Sequence, residues 1–365
     1  MTLLCTLANG DAVYRDDKRI VIRFEQPRKV LSTSVLNGGY REDLQAVFNH
    51  DCSGANDTDC TLRAPTYGEH MRLEARDLGL NPDTVSGMGT AAQMENVAVI
   101  TTKYETLTVT AIVTGGVEVN GGRAGDPASH FQPVDKAALP KPGTINIMLA
   151  IDADLPPGIL ARALVTCTEA KTAALQELLA GSNYSTGLAT GSGTDQTIVI
   201  ANPASALYLE SAGKHSKLGE LIGCAVKPAV KEALFRQTGL APELQHSVLR
   251  RLKRFGVNEE TLWQEYARNN GGAGGRIERQ QFLDCLEQID RDQQLVTFTS
   301  LYVHLLDQLL WNLLSGEEVR QAGNALLALV ANNYGLFSPL VSGAELPDFL
   351  QAWTKLLFEI IEVKS

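Results

Sequence analysis

The chain lacks an excess of positive charge: 32 lysines and arginines stand against 42 aspartates and glutamates, a formal net charge of -10. A surface with that balance does not hold nucleic acid or an anionic membrane non-specifically, so neither is expected as a partner. Long hydrophobic runs are missing too. The most apolar stretch, residues 301–314, is interrupted by His304, Asp307, Gln308 and Asn312 and reads as a packed helix rather than a membrane span. The opening MTLLCTLANGD has no basic region before its short apolar stretch, which predicts a cytoplasmic protein. None of the six cysteines forms a C-x-x-C pair. Cys52 and Cys60 are close enough for a single bridge, but free thiols are the favoured reading. No histidine falls in H-x-x-x-H or H-E-x-x-H, so no metal and no tightly bound cofactor are expected. The loop Gly191-Ser192-Gly193-Thr194-Asp195 is not followed by G-K-[ST], which removes nucleotide binding of the Walker type.

What is present is an ordinary globular composition, 44% hydrophobic and 20% charged, in 365 residues. That length predicts roughly two domains. Strands are expected at Arg19–Phe24 and Lys29–Val35, with the turn signal Gln26-Pro27 between them and Leu36-Asn37-Gly38-Gly39 ending the second. Residues 51–65 read as a loop and Gly68–Leu80 as a helix. Leu107, Val109, Ala111 and Val113 alternate with threonines, the period of a half-buried strand. A strong strand covers Thr144–Asp152. Pro156-Pro157 opens a helix to about Leu179, with Leu160, Ala163 and Cys167 among its apolar residues and Arg162, Thr166 and Glu169 on the other side. A strand at Asp195–Asn202 follows, then a helix at Leu218–Thr238 that Pro228 should kink or break. Beyond about Ala241 strand patterns disappear. Helices are expected at 293–314, 317–333 and 346–363, with Trp311, Leu314, Leu326, Leu329, Phe349, Trp353, Leu357 and Ile360 as core candidates. The insert Asn269–Gly275 is flexible by composition.

The fold predicted is therefore α+β, an antiparallel-rich mixed sheet or sheets covered by helices, over residues 1–240. An all-helical domain follows over 241–365, with two stacked sheets between helical layers and a parallel crossover within 144–201 as open alternatives. The helical domain holds no recognisable nucleophile and base. Its expected use is assembly, as a homo-oligomer or with a protein partner.

Candidate chemistry concentrates in glycine-rich polar loops, where backbone can approach a ligand closely. Thr90 is a candidate nucleophile, with Glu95 and Asn96 beside it in sequence; a threonine nucleophile commonly uses its own α-amine after chain cleavage. The bland alternative makes Thr90 a helix cap. His50, between Asn49 and Asp51, is the candidate for proton transfer. Asn37, Gly38, Gly39, Asn96, Glu118, Asn120, Arg123, Thr194 and Asp195 are candidate substrate-binding residues, with an exposed polar loop as the competing reading for Glu118, Asn120 and Arg123.

Several of these runs carry a resemblance. STSVLNGGYRED (32–43), MGTAAQMENVAV (88–99), VTGGVEVNGGRAGDP (113–127), GTINIMLAID (143–152), TCTEAKTAALQEL (166–178), ATGSGTDQTIVIA (189–201) and AGKHSKLGELIG (212–223) resemble the adenosylcobinamide amidohydrolases, the CbiZ family. The similarity runs in order over about residues 29–238 and leaves the helical tail outside it. It implies hydrolysis of the amide joining the corrin propionyl side chain to aminopropanol, giving adenosylcobyric acid for corrinoid salvage or remodelling. A small-molecule corrinoid would then be the substrate. It does not itself supply the catalytic residues. A corrinoid-binding protein that does not cut, and a different amidase with a self-processed threonine, are the alternatives.

Overall fold

The computed structural model describes residues 1–54, 62–128, 144–269 and 277–365. Cys60, His130 and most of the 269–275 insert lie outside those residues. The chain divides into two compact units, Met1–Ala241 and Pro242–Ser365.

The first unit begins with β1 (Thr2–Thr6), β2 (Ala12–Arg15), β3 (Arg19–Arg23), β4 (Lys29–Ser32), β5 (Gly39–Arg41) and β6 (Ala46–Asp51). Helix α1 (Tyr67–Asp77) leads to β7 (Val85–Thr90), β8 (Ala98–Tyr104), β9 (Leu107–Thr114) and the short β10 (Gly121–Gly122). Then come β11 (Asn146–Ile151), α2 (Pro157–Glu177), β12 (Gly191–Ser192), β13 (Gln196–Ala201) and α3 (Lys217–Thr238). They form one five-stranded sheet, β1-β2-β3-β6-β7, one six-stranded sheet, β5-β4-β13-β11-β9-β8, and a two-stranded ribbon, β10-β12. The pairs β6–β7 and β11–β13 are parallel, and α2 is the crossover helix joining β11 to β13. The remaining strand pairs are antiparallel.

Strand periodicity decides the layers. Val13, Ile20, Ile22, Val47 and Met88 of the first sheet share one apolar cluster with Val30, Ile112, Met148, Ile198 and Ile200 of the second, so the sheets lie face to face. On the outer face of the first sheet, Val21, Phe48 and Val85 pack with Met71 and Ala75 of α1. Helices α2 and α3 pack on the second sheet. The mixed sheets covered by helices match the sequence expectation, in its stacked-sheet form.

Four local expectations need correction. Strand β9 is buried along its whole length, because α3 covers the face opposite the sheet interface; its threonines are interior rather than solvated. Thr166 is buried and donates its hydroxyl to the Ala212 carbonyl, 2.7 Å away, so it is not part of an exposed helix face. Helix α3 runs unbroken through Pro228. Cys52 is disulfide-bonded, against the free-thiol reading, whereas Cys5, Cys167, Cys224 and Cys285 are free.

The second unit is helical in its described residues: α4 (Val248–Leu252), α5 (Glu259–Asn269), α6 (Arg279–Asp290), α7 (Gln293–Leu310), α8 (Gly316–Asn333) and α9 (Leu346–Lys364). Phe349, Trp353, Leu357 and Ile360 are buried in its core, as their spacing predicts, and Tyr302 stacks on Trp353 with ring centroids 4.4 Å apart. Leu314 and Leu326 are partly buried against that core. Trp311 and Leu329 are each 47% exposed, against expectation. For Trp311 the reason is helix length: α7 stops at Leu310, and Asn312 takes a left-handed conformation (φ 56°) that ends the helix before Leu314. Ser315 then starts α8 with a capping box to Glu318. No helix among the described residues is long and apolar enough to cross a membrane.

Candidate active site between the sheets

Side chains alternate across a strand, so cross-strand register places residues that sequence separation hides. Asn146 opposes Thr114 on one side and Gln196 on the other. These three therefore form a row across β9, β11 and β13, on the face where Ile112, Met148 and Ile198 meet the first sheet. From the first sheet Asn49 of β6 reaches the row. Its Nδ2 donates to Thr114 Oγ1 at 2.8 Å, and its Oδ1 accepts from Asn146 Nδ2 at 2.7 Å. Asn146 Nδ2 also donates to the Gly89 carbonyl at 3.1 Å. Gln196 Nε2 lies 3.2 Å from the Tyr67 hydroxyl and 3.4 Å from the same carbonyl.

The row is neutral and almost wholly enclosed: Thr114, Asn146 and Asn49 are 1%, 1% and 2% exposed. Buried amides of this kind are normally fully hydrogen-bonded. Asn146 Oδ1 is the exception, buried with no partner among the described residues. An acceptor left in that state costs about 1–3 kcal/mol. The Thr114 oxygen receives one N–H from Asn49, and its own proton stays available to a ligand.

Around this row the chain gathers several of the sequence candidates. Thr90 ends β7, one residue beyond Gly89, and its hydroxyl accepts the Ala92 N–H at 2.9 Å in a local turn; the 3-10 turn that follows has Gln93 at its N-cap, so Thr90 is not a helix cap. Asn96 sits in the 3-10 turn Met94–Asn96 and donates to Gln237 of α3 at 2.9 Å. Glu95 beside it is exposed, its carbonyl 3.5 Å from Arg15 Nη1. Thr194 and Thr144 share a hydroxyl–hydroxyl bond at the mouth of β11 and β13. Asp195 accepts the Ile145 N–H at 2.9 Å and the Ser192 hydroxyl at 2.7 Å, and pairs with the buried Lys171. A Cβ at 191 would sit 2.3 Å from Asp195 Oδ2 and 2.7 Å from Lys171 Nζ, so any other residue would have to displace that ion pair. The carboxylate and ammonium therefore brace the loop that starts β13.

The ribbon β10–β12 holds the 118–126 loop to the same end. The Asn120 carbonyl accepts the Gly193 N–H at 3.3 Å and its Oδ1 accepts the Tyr184 hydroxyl at 2.7 Å. Arg123 Nη1 donates to the Leu188 carbonyl, 3.1 Å away, and the Glu118 carbonyl accepts from Asn183 at 3.2 Å.

Two candidates, Asn37 and His50, fall elsewhere. Asn37, with φ 51°, donates to the Pro82 and Val85 carbonyls, both at 2.7 Å, at the start of β7. Five residue steps along a strand separate that point from Thr90, about 17 Å; Gly39 instead pairs with Ser32 of β4, and Gly38 lies against the backbone of Ser34, whose hydroxyl bonds the Gly87 carbonyl. His50 follows Asn49 on β6 and so points to the opposite face, toward α1. There its Nδ1 is 3.2 Å from the Lys18 carbonyl and 3.8 Å from Glu74 Oε2, and its ring centroid is 5.2 Å from that of His70. Burial pushes the His50 imidazole down to about 4, helped by the charges of His70 and Arg19 and opposed by Glu74.

The sequence reading missed Asn49, Thr114, Asn146, Gln196 and Tyr67. The available signal was a polar residue at the first inward position of an otherwise apolar strand face, Asn146 before Met148 and Ala150 in β11 and Gln196 before Ile198 and Ile200 in β13.

With this geometry in view, comparison with known proteins is specific. A protein of Methanocaldococcus jannaschii, described as uncharacterized, is 34% identical over 238 residues, covering 62% of this chain and 89% of that protein. An adenosylcobinamide amidohydrolase of Methanosarcina mazei is 32% identical over 207 residues, 54% of this chain and 86% of that protein. Among solved structures, a Pyrococcus horikoshii protein matches 64% of this chain and 80% of its own at 14% identity, with a TM-score of 0.27. The family model for adenosylcobinamide amidohydrolase spans residues 4–242, nearly the whole of the first unit. The chain belongs to the CbiZ adenosylcobinamide amidohydrolase family.

Proposed function

We propose that the first unit hydrolyses the amide linking the corrin propionyl arm to aminopropanol in adenosylcobinamide, releasing adenosylcobyric acid for corrinoid salvage. Family membership supports the substrate class. The observation that carries the site is the unpartnered Asn146 Oδ1 inside a row of carboxamide and hydroxyl groups. A secondary amide presents one N–H donor and one carbonyl acceptor. Asn146 Oδ1 takes the N–H, which turns the substrate carbonyl toward the Thr114 hydroxyl and the Asn49 side chain. Neutral donors held in an enclosed site stabilise the oxyanion of the tetrahedral intermediate without reorganising, the largest single contribution in most acyl-transfer sites. Thr194, Asp195, Asn96 and the 118–126 loop then form the rim that meets the corrinoid's peripheral amides.

Incubating the pure protein with adenosylcobinamide and following products by mass spectrometry tests this reading. Adenosylcobyric acid and free aminopropanol are expected. Unchanged substrate would overturn it. One observation favours the alternative of binding without cleavage: neither the Thr114 nor the Thr90 hydroxyl bonds an imidazole or carboxylate among the described residues. Equilibrium binding measured beside turnover separates the two, since tight binding with no product would select it.

A further inference from the structure

The outer face of the first sheet carries a second polar cluster, unrelated to the amide row. His70 and Glu74 stand four residues apart on α1, and so on one face of the helix. His50 of β6 faces them. One ligand-competent atom from each lies within 4.8 Å of the other two. All three side chains are buried, at 6% exposure for His50 and 1% for His70 and Glu74. Neither His70 Nε2 nor Glu74 Oε2 has a hydrogen-bond partner among the described residues.

Two imidazoles and one carboxylate are the ligand set of a three-residue zinc-class site. The surrounding contacts suit it as well. Glu74 Oε1 is held by Arg63 Nη1 at 2.7 Å, which leaves Oε2 to point inward. His50 Nδ1 stands 3.2 Å from the Lys18 carbonyl and 3.8 Å from Glu74 Oε2, so as a ligand atom it would exchange its contact with that carbonyl for the ion. We infer that His50, His70 and Glu74 bind one divalent transition-metal ion of the zinc class, which pins α1 to β6. The site departs from the expected absence of a metal because its ligands come from a strand and a helix, outside any local histidine motif.

Two features oppose loading and define what must move. Arg19 Nε stands 3.5 Å from Glu74 Oε2; its side chain is 20% exposed and has a path to solvent. The Arg63 backbone N–H donates to His70 Nδ1 at 3.2 Å, which puts the ring proton on Nε2. When the ion takes Nε2, that proton moves to Nδ1 and the Arg63 contact breaks.

The test uses the full chain, stripped with a chelator, exposed to Zn²⁺ and passed through gel filtration. About one equivalent of zinc should remain, with a rise in unfolding temperature, and Co²⁺ should give the visible bands of a tetrahedral site. His70→Ala and Glu74→Gln should reduce retained zinc to background and abolish the bands. Circular dichroism identifies any variant that fails to fold, and Glu74→Gln preserves the side-chain volume. Arg19→Met should tighten binding. No retention by the wild-type chain, or equal retention by both variants, overturns the inference. So does a crystal structure grown with zinc in which a water bridges Arg19 Nε, His70 Nε2 and Glu74 Oε2. None of these outcomes bears on amide cleavage, which rests on the other face of the sheet.

Discussion

Asn49 and His50 are adjacent in the chain and look out on different chemistry. On the side of Asn49, two apolar sheet faces enclose a row of neutral carboxamides and hydroxyls. On the side of His50, α1 covers a cluster of ionisable groups in which Glu74 meets Arg19, Arg63 and His50. A neutral row has oriented donors and acceptors but no net charge, which suits recognition of an amide. A buried carboxylate among imidazoles suits a cation or another charged partner. One strand thus separates two kinds of polar interior, and a functional residue cannot be picked from the sequence around position 50 without knowing which face it takes.

The comparison makes graded predictions. Glu74→Ala removes the carboxylate and leaves Arg19 without it on the α1 side, so it should cost about 3 kcal/mol of stability. Denaturant unfolding measures this, and the folded fraction should still cleave. Asn49→Ala should cost less, about 1–3 kcal/mol, since it strands the Asn146 N–H and the Thr114 oxygen. Its turnover should nonetheless fall about 100-fold or more, the scale of losing a donor at a developing oxyanion. Ser86→Ala removes a 2.8 Å bond to Ser32, elsewhere in the same inter-sheet layer. It should cost about 1 kcal/mol and leave turnover unchanged, which would show that the Asn49 effect belongs to the row and not to any polar contact between the sheets. The smallest effect concerns thiols. Cys167 is buried and its pKa is raised to about 12, chiefly by burial, whereas Cys224 is exposed. Alkylation of the native protein followed by peptide mapping should label Cys224 and spare Cys167.

Much of the fold was legible locally. Pro156-Pro157 marked the start of α2, the alternation in 144–152 marked β11, and the loss of β-branched runs after Ala241 marked the helical region. Burial on both faces of β9 was not legible, because the covering helix α3 lies a hundred residues later in the chain. The site was half legible. Thr194, Asp195, Asn96 and the 118–126 loop, which the structure holds at the end of the sheets where Asn146 lies, stand in glycine-rich polar loops that announce themselves by composition. Asn146 was hidden within a strand whose isoleucines at 145, 147 and 151 defined the conspicuous face. Only its register against Thr114 and Gln196 gives it meaning, and cross-strand pairing is not a local property. Asn37 has a structural use that its sequence context did not show: a left-handed backbone and two bonds to the Pro82–Val85 turn.

The most direct test measures kcat for adenosylcobinamide cleavage in Asn146→Ala and His50→Ala side by side, each first shown to be folded. Asn146→Ala should lose about 100-fold or more, while His50→Ala should stay within a few-fold of wild type and differ chiefly in zinc retention. Near-normal turnover in Asn146→Ala together with collapse in His50→Ala would place the chemistry on the α1 side of the sheet and contradict this account.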